Sequence, residues 1–302
     1  MSQSCEGRVV IVTGAGRGIG REHALLFARE GAAVVVNDLG TTLSGEHRAS
    51  EPAEEVVAHI RSLGGRAIAS ADDATDFRAA ERLVTTAIEH FGGLDVVVNN
   101  AGFVRDRMFA NTSEAEWDAV LRVHLKGHFC VTRHACAYWR ERAKAGATVD
   151  ARIINTTSGA GLLGSLGQSA YSAAKAGILG LTLVQAAELA RYGITANAIA
   201  PAARTRMTET TFVDMMKKPP SGFDVMDAGN IAPLVVWLGS RASRHVTGRV
   251  FELKGGELCL YQGHRPGPTV DKGARWEPGE LGDVVAELLA SAPAPLPVYG
   301  QG

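Results

Sequence analysis

Apolar positions along this chain fall into two rhythms that alternate. Short runs rich in β-branched residues stand at VVIVT (9–13), AAVVVND (32–38), RAIAS (66–70), LDVVVNN (94–100), RIINTTS (152–158), ITANAIA (194–200) and GRVFELKGG (248–256). Runs this short and this uniformly apolar predict strands buried on both faces. Between them, stretches such as REHALLFAREG (21–31) and YSAAKAGILGLTLVQAAELA (171–190) have the spacing of helices with an apolar face. Strands alternating with helices at this interval predict a doubly wound α/β fold: a parallel sheet with helices on both faces. No repeat of twenty to fifty residues and no clear linker divides the chain before its C-terminus. The expectation is one domain over residues 7–260, followed by a C-terminal extension over 261–302.

Three segments break the rhythm. Residues 39–52 (LGTTLSGEHRASEP) are polar and predict a loop at the end of the second strand. Residues 202–230 carry methionines and phenylalanines around a Lys-Lys-Pro-Pro-Ser-Gly break, the pattern of either a mobile lid or a surface helix pair. The tail beyond Leu260 mixes Gly/Pro turns with one short amphipathic helix near 279–290, and SAPAPLPVYGQG then reads as extended and solvated.

Composition narrows the function classes. At 302 residues, 46% hydrophobic and a formal net charge of −1, the chain has a large core and no basic excess for nucleic acid. No apolar run is read as reaching the roughly eighteen residues of a membrane helix, and MSQSCEGR lacks the apolar region of a signal peptide. Cys5, Cys130, Cys136 and Cys259 form no paired motif. A cytoplasmic setting with reduced thiols is the expectation.

Candidate chemistry sits where the first strand meets the first helix. VVIVT runs directly into GAGRGIG, placing Gly14, Arg17, Gly18, Ile19 and Gly20 at the start of a helix. Backbone without Cβ can approach a pyrophosphate there, and the helix N-terminus favours its charge. Asp38 closes the second strand eighteen residues after Gly20, where a carboxylate can bond the ribose hydroxyls of an adenosine and repel a 2′-phosphate. Arg17 pulls towards the phosphorylated cofactor, but Asp38 lies nearer the deciding atom, so NAD is expected. A second group is Ser158, Tyr171 and Lys175. The i to i+4 spacing puts a phenol and an ammonium on one helix face. A cation beside a phenol of pKa about 10 would favour the phenolate and let it exchange a proton with a substrate hydroxyl.

With the GxxxGxG loop, Asp38, NNAG at 99–102 and this triad, the chain resembles the short-chain dehydrogenase/reductase family from about Gly7 to Leu260. The resemblance implies that Asn100, Ala101 and Gly102 steady the sheet beside the cofactor and that Asp73 contacts the adenine. It also implies that Pro201 stands beside the nicotinamide, with Ala202 in place of the usual glycine, and that Thr205 contacts the carboxamide. Tyr171 and Lys175 would bind the nicotinamide ribose as well as act in catalysis. NDLG (37–40), RDRMF (105–109), WDAVLRVHLKGHF (117–129) and APLVVWLG (232–239) resemble one branch in particular. That branch is the (3R)-hydroxyacyl-CoA dehydrogenase unit of peroxisomal multifunctional β-oxidation enzymes, with related bacterial single-domain proteins. His124 stands where most family members carry a catalytic asparagine, whose helix kink presents a backbone carbonyl to a water on the proton path. His124 therefore enters the candidate catalytic set as a relay position.

The resemblance implies an NAD-dependent secondary-alcohol dehydrogenase acting on a small molecule, a CoA thioester whose acyl group can be bulky or sterol-derived. It also implies a homodimer or homotetramer, and a C-terminus that can close a neighbour's pocket. Other readings are a hydroxysteroid or free-alcohol dehydrogenase, a 3-ketoacyl-carrier-protein reductase, and a silent NAD sensor that would not need the triad. The cluster His124, His128, Cys130, His134 and Cys136 invites a metal, but on one helix its members point in different directions, so no metal is expected.

Overall fold

The computed structural model describes residues 3–41, 51–211, 214, 216–263 and 265–300. Strands β1 (Val9–Thr13), β2 (Ala33–Asn37), β3 (Arg66–Ser70), β4 (Val96–Asn99), β5 (Ala151–Thr156), β6 (Ile194–Ala202), β7 (Val250–Lys254) and β8 (Glu257–Tyr261) form one sheet. Their order is β3-β2-β1-β4-β5-β6-β7-β8. The first seven pair in parallel, as the continuous apolar runs require, with Val12 opposite both Val36 and Val98. Strand β8 departs from the parallel expectation, turning back as an antiparallel hairpin on β7 through Gly255 and Gly256. ELCLY is four-fifths exposed in pattern, so it carries no buried-strand signal.

Side chains leave the central strands alternately to two cores. Val10, Val12, Val34, Val36, Val96 and Val98 meet Phe27 of α1 (Gly18–Arg29), Val56 of α2 (Glu51–Ser62) and Val235 of a later helix (Ala232–Gly239). Ile11, Val35, Val97 and Ile153 meet Leu83 and Val84 of α3 (Phe77–Phe91), and Val131 and Trp139 of a helix over Gly127–Lys144. Burial on both faces is thus the physical cause of the run-type strands. Arg152 is an exception within such a run. It is 1% exposed and survives burial by pairing with Asp150 at 2.6 Å and donating to Ser240 O.

After β4 the chain forms α4 (Glu114–Leu121), capped by a reciprocal Ser113–Glu116 pair, and then α5 (Gly127–Lys144). A π-helical turn, Arg122–Lys126, joins the two, and His124 lies inside it. The histidine–cysteine cluster is therefore split between two helical geometries, and the described residues contain no group that could hold a metal. Helix α6 (Gly159–Leu163) follows β5, then α7 (Ser169–Leu189); α8 (Arg206–Thr211), α9 (Ala232–Gly239) and α10 (Leu281–Ser291) complete the set. Ser169–Tyr192 is long and apolar enough, by length and composition, to cross a membrane, contrary to the sequence expectation. Its place explains its composition, since α7 is packed between β6 and α4, Ala186 joining the core under the sheet and Ala174 meeting Val120.

The reversal of strand order falls between β1 and β4. In open α/β sheets the crevice at the carboxyl ends of the strands flanking such a reversal is where ligands bind.

Candidate active site

A cavity of about 880 Å³ occupies this crevice, and nearly every sequence candidate lines it. At one side the loop after β1 folds against the loop after β4. Gly14 has φ +63, and a Cβ there would lie 2.7 Å from Ala101 Cα. A Cβ on Gly20 would collide with Gly14 O, so the chain passes there only as glycine. Asn100 donates to Thr13 O (3.0 Å) and Gly14 O (3.1 Å), while Thr13 Oγ1 accepts from the amides of Asn100 and Ala101. The NNAG segment is thus the buttress of the glycine loop. Arg17 is the N-cap of α1 and supplies no side-chain cap, which leaves the helix's first amides open to an anion. Arg17, Gly18, Ile19 and Gly20 all line the cavity.

Asp38 stands across from this loop. Its carboxylate accepts from Gly16 N at 2.8 Å and Gly40 N at 2.7 Å, fixed between glycine loop and turn. Residues 42–50 of the polar insertion lie outside the described residues. Further along the wall, Asp73 accepts from Thr75 N (2.9 Å) and Thr75 Oγ1 (2.7 Å) and faces Arg122 at 3.5 Å. A backbone cradle with no room for Cβ, open helix amides and a carboxylate beyond them suit a nicotinamide dinucleotide. Gly14, Gly18 and Gly20 would hold its diphosphate, Asp38 its adenosine ribose and Asp73 the adenine.

The triad converges at the other end. Ser158 is the N-cap of α6, its Oγ accepting from Ala160 N at 3.2 Å, and its hydroxyl faces the Tyr171 hydroxyl. Lys175, 2% exposed, donates from Nζ to Thr156 O at 2.6 Å, with Nζ 5.5 Å from the Tyr171 ring centre. Burial pushes Lys175 down to about 7, and burial also pushes the Tyr171 phenol up, the Ser158 hydrogen bond opposing this. The expected preference for phenolate is therefore not established by the lysine alone. Desolvation is the largest influence on the phenol, and the cation 5.5 Å away does not offset it.

His124 sits beneath them, 1% exposed, its ring edge-on to Tyr171 at 5.1 Å. Nε2 meets both polar groups of Phe103, lying 2.6 Å from its carbonyl oxygen and accepting from its amide at 3.2 Å, while Nδ1 has no partner among the described residues. Gly102 must lack a side chain, since a Cβ would overlap this ring. Burial, then the nearby Lys175 charge, hold His124 well below its usual range. His23 and His128, equally buried, are held down to about 3, burial being the largest cause in both. Unfolded histidines take up protons near pH 6.5, whereas His23 and His128 stay neutral in the fold until about pH 3, and His124 is held down in the same direction. The stability they contribute is present above pH 6.5 and is lost as pH falls towards 3. Each adds about 1.4 kcal/mol of slope per pH unit inside that window. Denaturant midpoints measured at successive pH values are expected to fall steeply below pH 6, and His23→Leu should remove about one proton's worth of the slope. A flat profile would contradict neutral burial.

Pro201, near the end of β6, and Thr205 also line the cavity; Thr205 N donates to Thr208 Oγ1 at 2.8 Å. Sequence reasoning missed Arg122 and Thr156. Nothing in their spacing marks them, because each reaches the site through the fold. By sequence, residues 204–218 offer an anionic ligand the cations Arg204, Arg206, Lys217 and Lys218, with Met207, Phe212, Met215 and Met216 between them. Arg204 is not an open cation at the cavity mouth. Its guanidinium grips Asp224 at 2.5 and 2.8 Å and donates to Met216 O, while its amide donates to Met226 O, closing the segment at its base. Lys217 is exposed and paired with Asp214. Arg206 remains near the cavity, where burial, then Arg17, lower its pKa. Phe212 and Met215 lie outside the described residues, and of Met207 only the backbone is described.

A dinucleotide cradle opening on a serine–tyrosine–lysine set defines an oxidoreductase of the short-chain type. Residues 8–215 match the family model described as short chain dehydrogenase, and the chain belongs to that family, whose members use NAD or NADP. It is 44% identical over 287 residues to hydroxyacyl-CoA dehydrogenase ChsB1 of Mycobacterium tuberculosis, covering 94% of this chain and 89% of that protein. It is 46% identical over 251 residues to mouse peroxisomal multifunctional enzyme type 2, covering 83% of this chain but 32% of that much longer enzyme. The crystal structure of a short chain dehydrogenase from Mycobacterium avium superposes with a TM-score of 0.89 at 59% identity, covering 98% and 99% of the two chains.

Proposed function

We propose that this dehydrogenase uses NAD to oxidise the secondary alcohol of a 3-hydroxyacyl-CoA, including bulky or sterol-derived acyl groups. The observation that carries the reading is the placement of Ser158, Tyr171 and Lys175 at one end of a cavity whose other end holds Asp38. The thioester follows from the relatives, since a 44% identical protein of similar length is a hydroxyacyl-CoA dehydrogenase. Bound NAD supplies the hydride acceptor. Ser158 orients the substrate oxygen and Tyr171 takes its proton. Lys175 holds the nicotinamide ribose and, with that ribose, supports the phenolate. His124 fixes the floor under Tyr171 and is the relay position.

The deciding measurement is NADH formation with 3-hydroxyacyl-CoA thioesters, their free acids and hydroxysteroids. The thioesters should be favoured about a hundredfold or more in kcat/KM. Equal efficiency with an alcohol lacking CoA would move the assignment to a hydroxysteroid or free-alcohol dehydrogenase.

Cofactor choice rests on Asp38. Asp38→Ala removes the ribose acceptor and the repulsion of a 2′-phosphate, so the NAD over NADP ratio of kcat/KM should narrow by about tenfold or more. A wild-type preference for NADP would mean that Arg17 and Arg206 dominate.

Residues 7–260 form the catalytic unit, with 202–230 as lid, and 261–302 an extension. The four cysteines are free, which suits the cytoplasm. The exposed Leu183 and Val184 of α7 and Phe129 of α5 fit a two-fold homodimer or dimer of dimers. A monomeric mass by light scattering would contradict it.

A further inference from the structure

The last residues of the chain return to the active-site rim. Tyr299 N donates to Gly164 O at 3.1 Å and Leu166 N donates to Tyr299 O at 3.0 Å, a parallel bridge on the segment joining α6 to α7. That segment separates Ser158 from Tyr171. Its other side is held by the chain after β4: Arg107 N donates to Gly167 O at 2.7 Å, and Gln168 Nε2 donates to Asp106 Oδ1 at 2.9 Å. The Tyr299 ring lies on Gly159, where a Cβ would stand 2.7 to 2.9 Å from its hydroxyl and ring carbons. Its hydroxyl donates to Glu252 Oε1 on β7 at 3.1 Å. The tail was expected to be extended and solvated, or to reach a neighbour's pocket. Its end instead docks on its own chain, one residue from Ser158.

We infer that Tyr299 is a specificity-determining residue that forms, in cis, the outer wall of the acyl site. Ser158 lines the cavity and Gly159 follows it directly, so the rim that Tyr299 covers lies one residue from the reacting centre. The surface met there is apolar: Leu162 and Leu163 are half-buried, Leu166 is exposed, and Val298 packs at Gly164. The cation Arg206 stands at the glycine-loop side instead, beside Arg17 and Asp38. That side belongs to the dinucleotide, so an acyl chain belongs with the apolar surface. Burial and the Glu252 carboxylate push the Tyr299 phenol up to about 12, so it stays a neutral donor and keeps its bond to Glu252 across working pH. A long or bulky acyl group would press on this ring, whereas a four-carbon one would end before reaching it. The tail thus sets which acyl groups are held well and leaves the hydride chemistry alone.

This inference rests on the hydroxyacyl-CoA reading, and its test separates the two. Tyr299→Ala, and a chain ending at Pro297, would be assayed with 3-hydroxyacyl-CoAs of four carbons and of long or polycyclic acyl groups, alongside NADH binding by fluorescence. For the bulky substrates KM should rise about tenfold or more, with kcat for the four-carbon substrate and NADH affinity changed by less than about twofold. Gly159→Ala, which displaces the ring from the opposite side, should reproduce the selectivity change in Tyr299-bearing enzyme and add little to Tyr299→Ala. Equal loss across all acyl lengths, a loss confined to kcat, or no change would overturn the wall. Failure of the wild-type enzyme to oxidise any hydroxyacyl-CoA would instead overturn the substrate class.

Discussion

Tyr171→Phe is expected to lower turnover by about a hundredfold or more while leaving the fold and dinucleotide affinity intact. The substitution deletes one hydroxyl and keeps the ring that packs edge-on to His124. What disappears is the phenol that faces Ser158, and with it the group placed to exchange the substrate proton. Because burial pushes this phenol up, the wild-type rate of alcohol oxidation should itself climb with pH as the phenolate forms, and the variant should lack that rise. Single-turnover rates and NADH titrations for both proteins decide the matter. Near-normal turnover in the variant would remove Tyr171 from the catalytic set.

Lys175→Met should be almost as damaging to the rate and should raise the dissociation constant for NADH, about tenfold, since both depend on the same side-chain nitrogen. Its effect on stability should run the other way at neutral pH. Lys175 is pushed down to about 7 by burial, against 10.5 for the free side chain. Between those values the unfolded chain holds a proton that the folded chain does not, so the lysine's contribution, present above pH 10.5, is lost as pH falls to 7. Methionine keeps the aliphatic stem without that proton. Thermal midpoints should therefore favour the variant near pH 7.5, with the gap closing towards pH 10, a cost the wild type bears for function. A variant less stable at every pH would mean that the bond to Thr156 O outweighs the charging penalty. A fall in rate with unchanged NADH affinity would dissociate Lys175 from the ribose.

Much of this site is legible in the sequence because it is built from local spacing. VVIVT, GAGRGIG and the helix after them occupy one continuous stretch, so the strand, the glycines and the helix N-terminus are fixed relative to one another by backbone geometry alone. Tyr171 and Lys175 are likewise one helical turn apart. Asp38 and Ser158 could be placed because each ends an apolar run, and a parallel sheet brings the carboxyl ends of its strands to one edge. The hairpin strand β8 was not legible, since an exposed edge strand carries no burial signal.

What spacing could not supply is anything decided by contacts between distant segments. Arg204 looked like a cation for the ligand, but Asp224, twenty residues on, claims it. The Tyr171–Lys175 pair promised a phenolate on motif alone, yet the direction of both shifts is set by how thoroughly the fold excludes water from them. The glycine at 102 is dictated by the His124 ring, and the glycine at 159 by a tyrosine 140 residues later in the chain. Sequence by itself determined the elements and their order, because hydrophobic period and backbone permissiveness act over a few residues. Only the tertiary structure decided charge state, pairing and the shape of the acyl wall, because desolvation and steric exclusion depend on which remote atoms arrive at the same place.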